Sequence, residues 1–219
     1  MRAGGRPNGL AGGGQPNLFL VRIALACLRV HVPSRGARTR ILGIVKSFPA
    51  VYLFHGKGGS PSGTVSLLES AFADLFPSTR MVRPELPHHD PELAADRSLP
   101  FVEDLKMPLN SLVIGVSLGG IVAARVQEIS RPELHVICIS SPTWADAVRL
   151  EKKMPNRLAL YSSHDDVISG RTADWPQLAE AYDLRWLTHQ TDAHIPNLYE
   201  LVKAYVLEDD VSEVIARLQ

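Results

Sequence analysis

The hexapeptide Gly115-Val116-Ser117-Leu118-Gly119-Gly120 stands where an apolar run, Ser111–Val116, gives way to a helical pattern. The motif G-x-S-x-G between a strand and a helix holds its serine on a sharp, strained turn. Side chains at 115 and 119 would crowd that turn, which is why glycine is required there. The Ser117 hydroxyl is then presented at a helix N-terminus, whose dipole favours developing negative charge. A serine hydroxyl is a weak nucleophile by itself, so it needs a base, and the base needs an acid to orient it. Candidates for both follow in chain order. Ser163-His164-Asp165-Asp166-Val167-Ile168 comes after the apolar run Leu158–Ser162. Thr188-His189-Gln190-Thr191-Asp192-Ala193-His194-Ile195-Pro196 directly precedes the last amphipathic helix.

His194, in a loop before that helix, is the expected general base, and Asp165, just past a strand end, the expected acid. Asp166 and Asp192 are the competing acids. His189 and His164 compete with His194 more weakly, because His189 is read as closing a strand and His164 precedes the acid. An oxyanion needs two N–H donors already in place. Leu118 N–H, after the nucleophile, supplies one. Lys57 N–H, in His55-Gly56-Lys57-Gly58-Gly59-Ser60, supplies the other. The same loop fails as a phosphate cradle, since G-x-x-x-x-G-K-[ST] is absent, and no G-x-G-x-x-G marks a dinucleotide site.

These groups need a frame. Short apolar runs at Val51–His55, Thr79–Arg83, Ser111–Val116, Leu134–Ser140, Leu158–Ser162 and Leu184–Leu187 read as strands buried on both faces. Helical spacing marks Ser62–Phe76, Leu118–Ser130, Trp175–Tyr182 and Pro196–Val206. The alternation predicts an α/β domain with a doubly wound, mainly parallel sheet flanked by helices. The stretch Pro84–Pro100 is predicted as one long irregular connection over the site.

With these elements in place, the chain resembles the α/β-hydrolase family over roughly residues 48–219. The resemblance rests on His55-Gly56, the elbow around Ser117, Ser163-His164-Asp165-Asp166-Val167 and Asp192-Ala193-His194. It is closest in kind to small, cap-less bacterial esterases, because only Ser141–Arg157 separates two successive strands. It implies hydrolysis of carboxylic esters, thioesters or amides through an acyl-enzyme, with neither metal nor organic cofactor. An ester is the simplest substrate. A non-catalytic binding protein on the same scaffold is the contrasting class, and no member of the triad is missing to favour it. The site walls are expected to draw on His55, Gly56, His88, His89, Trp144 and Trp175. His88-His89-Asp90 is read as a solvated turn in preference to a metal site.

Charge divides the chain. Its 219 residues carry 23 Lys+Arg and 23 Asp+Glu, a net charge of zero. Residues 1–46 hold eight of the basic residues and no acid, whereas 47–219 carry a balance of −8. The first segment is expected to be a basic, poorly ordered extension, with an organellar leader or outer strands as alternatives. Residues 47–219 are expected to form the hydrolase domain. The neutral total gives no reason to expect nucleic acid as a partner. The apolar stretch Leu18–Val30 is interrupted by Arg22 and Arg29 and is too short to span a bilayer. A cytoplasmic protein acting on a small-molecule acyl substrate is the expectation. Cys27 and Cys138 suggest neither a disulfide framework nor zinc.

Overall fold

A strand of the sequence Ala-Val-Tyr-Leu-Phe has no polar face to offer water, so it must be covered on both sides. That requirement organises the chain. The computed structural model describes residues 45–87 and 94–219. Its elements are β1 (Ala50–Phe54), α1 (Thr64–Phe72), β2 (Arg80–Val82), α2 (Ala94–Asp104), β3 (Leu112–Val116) and α3 (Leu118–Ile129). They continue as β4 (His135–Ile139), β5 (Trp144–Ala145), β6 (Val148–Arg149), β7 (Arg157–Tyr161), α4 (Trp175–Leu178), β8 (Glu180–Asp183), α5 (Ile195–Leu207) and α6 (Val211–Leu218).

Six strands form a parallel sheet in the order β2-β1-β3-β4-β7-β8. Successive residues point to opposite layers. Tyr52, Phe54, Val113, Cys138 and Ala159 pack with α2, α3 and α4, whereas Val51, Leu53, Ile114, Ile137 and Leu160 pack with α1, α5 and α6. The chain leaves β1 for β2 on one side and returns to β3 on the other. This reversal opens a crevice at the C-terminal ends of β1 and β3, the place where doubly wound sheets bind ligands. Between β4 and β7 the chain makes only the two-residue strands β5 and β6, paired antiparallel. No cap domain is inserted there.

Three predicted elements differ. The final strand is Glu180–Asp183, not Leu184–Leu187, and the helix expected over Trp175–Tyr182 ends at Leu178. As an edge strand β8 carries exposed Glu180 and Asp183, so it lacks the apolar run that marks the central strands. The Pro84–Pro100 connection is not wholly irregular, because α2 begins at Ala94 and runs through Pro100. The amphipathic α6 was not anticipated; Asp210 caps it by accepting the Ser212 N–H. Residues 1–44, including the leader alternatives, and His88 and His89 lie outside the described residues. No described helix is long and apolar enough to cross a membrane.

At the N-terminal edge of the sheet a buried polar network ties α3 to β7. The Arg157 guanidinium, with no exposed side-chain surface, donates to Glu128 Oε1 (3.1 Å), Gln127 Oε1 (2.9 Å) and the Ala124 carbonyl (2.8 Å). Glu128 also accepts the backbone N–H groups of Glu151 and Lys152. Arg125, itself half-buried, also pairs with Glu128 Oε2 (3.0 Å), so removing Arg157 leaves the buried carboxylate only partly compensated. Arg157→Met is therefore expected to lower unfolding free energy in urea titration by less than about 3–5 kcal/mol, the cost of a wholly unpaired buried charge. Adding Glu128→Gln should recover part of that loss.

Candidate active site

The elbow follows from close packing. Ser117 sits between β3 and α3 at φ 51°, ψ −119°, a conformation that costs a non-glycine residue about 1–3 kcal/mol. Its N–H still donates to the Ile139 carbonyl (2.9 Å), so the turn begins inside the sheet ladder. The first turn of α3 lies directly on the strand ends. A Cβ on Gly119 would collide with the Phe54 carbonyl and come within 2.7 Å of the His55 carbonyl oxygen. One on Gly120 would strike the Ser141 hydroxyl and stand 2.9 Å from the Gly115 carbonyl oxygen.

Ser117 lines two adjoining clefts. The larger, about 380 Å³, is bounded by Lys57, Leu118, Pro142, Ala145, Asp146, Val167, Ile168, Arg171 and His189. The smaller, about 160 Å³, runs along the loop after β1 past Gly56, Gly59 and Ser60 to Thr64. Lys57, Ser117 and His189 belong to both. Lys57 and Leu118, the expected oxyanion donors, thus flank the serine. The N–H of Leu118 opens a helix, where the first N–H groups lack intrahelical acceptors.

His189, and not His194, meets the acid. Its Nδ1 donates to Asp165 Oδ2 at 3.0 Å, and the carboxylate has no exposed side-chain surface while the imidazole keeps 26%. Asp165 Oδ1 accepts the Val167 N–H at 3.0 Å, which anchors the carboxylate through its second oxygen. The Ser140 hydroxyl donates to the Thr188 carbonyl (3.2 Å), and the His189 carbonyl accepts the Thr191 N–H (2.9 Å), so the loop is fixed on both sides of the histidine. His194 is engaged elsewhere: its Nε2 pairs with the Thr188 hydroxyl at 2.9 Å and its ring packs on Trp186. It belongs to neither cleft. Asp166, Asp192 and His164 are exposed.

The difference between His189, which meets Asp165, and the expected His194 has a definite origin. A strand at Leu184–Leu187 would put His189 at a strand end. With β8 ending at Asp183, the chain has a turn in which to swing His189 over the site. The exposed acids of Glu180–Asp183, flanking Ala181 and Tyr182, were the available sign of an edge strand.

Other expected wall residues separate as well. His55 is buried; its Nε2 accepts the Leu86 N–H (3.1 Å) and its Nδ1 donates to the Gly56 carbonyl (3.0 Å). Both ring nitrogens are therefore used to pin the Lys57 loop to the chain after β2. Gly56 itself lines the smaller cleft. Trp175 is fully buried, donating to the Ser141 carbonyl (2.8 Å), and is core. Trp144 is 41% exposed and stands beside the larger cleft, next to Ala145. Cys138 is no rival nucleophile, since burial pushes its thiol up to about 12. Among the described residues no cluster of His, Cys, Asp and Glu could hold a metal.

The model of the Uncharacterised protein family UPF0227 matches residues 50–164, and the chain belongs to that family. The match takes in the loop after β1 and the whole elbow. No curated protein matches the chain. Among solved structures the fold is that of α/β hydrolases. An α/β-hydrolase enzyme from the metagenome of Mar Chica lagoon sediments, Morocco, is 19% identical with TM-score 0.57, covering 74% of this chain and 92% of that one. Est1E from Butyrivibrio proteoclasticus, solved with ferulic acid bound, is 16% identical with TM-score 0.56, covering 74% and 89%. Mouse alpha/beta hydrolase domain-containing protein 10 is 13% identical with TM-score 0.56, covering 80% and 92%.

The packing at the elbow makes a direct prediction. Gly119→Ala is expected to cost about 1–3 kcal/mol in chemical denaturation, because the opposing atoms are backbone and cannot rotate away. A variant as stable as wild type would show that α3 does not rest on β1 as described.

Proposed function

We propose that this UPF0227 member, with its α/β-hydrolase fold, is a serine hydrolase that cleaves carboxylic esters through an acyl-enzyme. The supporting observation is the Asp165–His189 hydrogen bond, formed at the edge of the same clefts that Ser117 lines. In this reading His189 Nε2 removes the Ser117 proton as Oγ attacks the ester carbonyl. The carbonyl oxygen becomes an oxyanion held by the N–H groups of Lys57 and Leu118. Collapse of the tetrahedral intermediate breaks the bond to the alkoxy oxygen, and the imidazolium returns its proton to that leaving group. Water, deprotonated by His189, then attacks the acyl-Ser117 ester. A second collapse releases the carboxylic acid and restores the Ser117 hydroxyl.

Asp165 acts by holding His189 in the Nδ1–H tautomer and by stabilising the imidazolium. Its burial makes this effective, because the carboxylate faces the ring and not bulk water. Thioesters and amides share the constellation; relative rates on matched ester, thioester and anilide substrates assign the class. The shallow connection between β4 and β7 leaves the larger cleft without a cover from that segment, which suits small or exposed acyl groups.

The test is steady-state hydrolysis of p-nitrophenyl acetate and butyrate. Ser117→Ala and His189→Gln are expected to lower kcat by about three to four orders of magnitude or more. His194→Gln should stay within about threefold of wild type. Asp165→Asn should fall by orders of magnitude while Asp166→Asn does not. Equal loss in His189→Gln and His194→Gln would contradict the assignment of the base, and Ser117-independent hydrolysis would contradict the reading as a whole.

A further inference from the structure

The larger cleft has an asymmetry that general ester hydrolysis does not require. Two cationic side chains, Lys57 and Arg171, line it beside Ser117 and His189. Lys57 is exposed on a loop, whereas Arg171 is built in. Its backbone N–H donates to the Ile168 carbonyl (3.0 Å), and its carbonyl accepts both the Thr143 N–H (2.6 Å) and the Thr143 hydroxyl (2.9 Å). The side chain is held too. Nη2 donates to the Val167 carbonyl at 2.8 Å, and the guanidinium lies over the Trp144 ring, 5.5 Å from its centroid.

These contacts orient the guanidinium without neutralising it. The Val167 bond uses one of its five N–H donors, and a ring face attracts a cation while leaving its in-plane donors available. Among the described residues no acid forms an ion pair with Arg171. The one carboxylate lining this cleft, Asp146, is committed elsewhere: its Oδ2 accepts the Ala95 N–H (2.8 Å) at the start of α2, where the helix dipole also favours negative charge. An arginine fixed in position, its fork unspent, fits a planar anion such as a carboxylate.

We infer that the larger cleft selects esters carrying an anionic group, and that Arg171 is the residue that recognises it. This rests on the serine-hydrolase reading above. It narrows the substrate class to acyl or alcohol moieties bearing a carboxylate or similar anion within reach of the scissile carbonyl.

Two matched pairs test the inference and distinguish which side bears the charge. Mono-p-nitrophenyl glutarate against p-nitrophenyl butyrate places the anion on the acyl group. 4-Acetoxybenzoate against phenyl acetate places it on the leaving group. The quantity read is the ratio of kcat/KM, anionic over neutral, corrected for the spontaneous rates. Wild type is expected to favour the anionic member of one pair by about tenfold or more, with the preference shrinking as salt is raised. Arg171→Gln should reduce that ratio about tenfold, and Arg171→Lys, which keeps the charge but loses the fork, by less. A merely structural role would lower both esters together and leave the ratio in place.

A wild-type ratio at or below one in both pairs overturns the inference, as does a ratio indifferent to Arg171→Gln. If Arg171→Gln does not fold, the salt dependence of the wild-type ratio and Arg171→Lys decide the matter. Ser117-dependent turnover of the neutral esters with no anionic preference defeats only this inference. Absence of Ser117-dependent turnover of any of the four esters defeats the hydrolase reading, and this inference with it.

Discussion

The contact between the first turn of α3 and the ends of β1 and β3 is the constraint from which the site follows. Helix and strands approach so closely at Gly119 and Gly120 that no Cβ fits, and this proximity forces Ser117 to φ 51°. The strained serine is held because it lies between a continuing ladder bond to Ile139 and a helix whose buried face is fully packed. Strain of this kind persists only where the surroundings determine the backbone more strongly than the residue itself does. The same approach sets the Lys57 loop, carried by β1, beside Leu118 at the larger cleft.

The sheet separates what holds the domain together from what carries chemistry. At its N-terminal edge the Arg157–Glu128–Gln127 network binds α3 to β7 with charge buried and paired. At its C-terminal edge the loops after β1, β3 and β8 bring Lys57, Ser117 and His189 to the clefts, and the loop after β7 holds Asp165 buried behind His189. Strand order makes this possible. Asp165 follows β7 and His189 follows β8, and because those strands are neighbours, residues 24 apart in sequence meet at 3.0 Å.

The central strands and the elbow were legible in the sequence because burial on both faces leaves a plain signature, and because the glycines around Ser117 are dictated by local sterics. Asp165, expected as the acid from its place just past a buried strand, is the carboxylate that a histidine meets. That it meets His189 and not His194 was not legible, although the stretch holding both histidines was. The edge strand β8 has polar exposed ends, so the apolar residues Leu184 and Leu187 beyond it drew the strand four residues too late. Those leucines are buried from a turn. The helix α2 was hidden by Pro100, and α6 by its distance from any motif. His55 shows the limit from the other side: its position predicted proximity to the site, but only its two hydrogen bonds reveal that it braces the loop.

The proposed chemistry turns on whether His189, oriented by Asp165, activates Ser117. The most direct measurement is the rate and site of labelling by a fluorophosphonate, with the modified peptide identified by mass spectrometry. A single adduct on Ser117 is expected, formed orders of magnitude more slowly in His189→Gln than in wild type and at a near wild-type rate in His194→Gln. Absence of a Ser117 adduct in folded wild-type protein, or labelling that depends on His194 and not on His189, would contradict it.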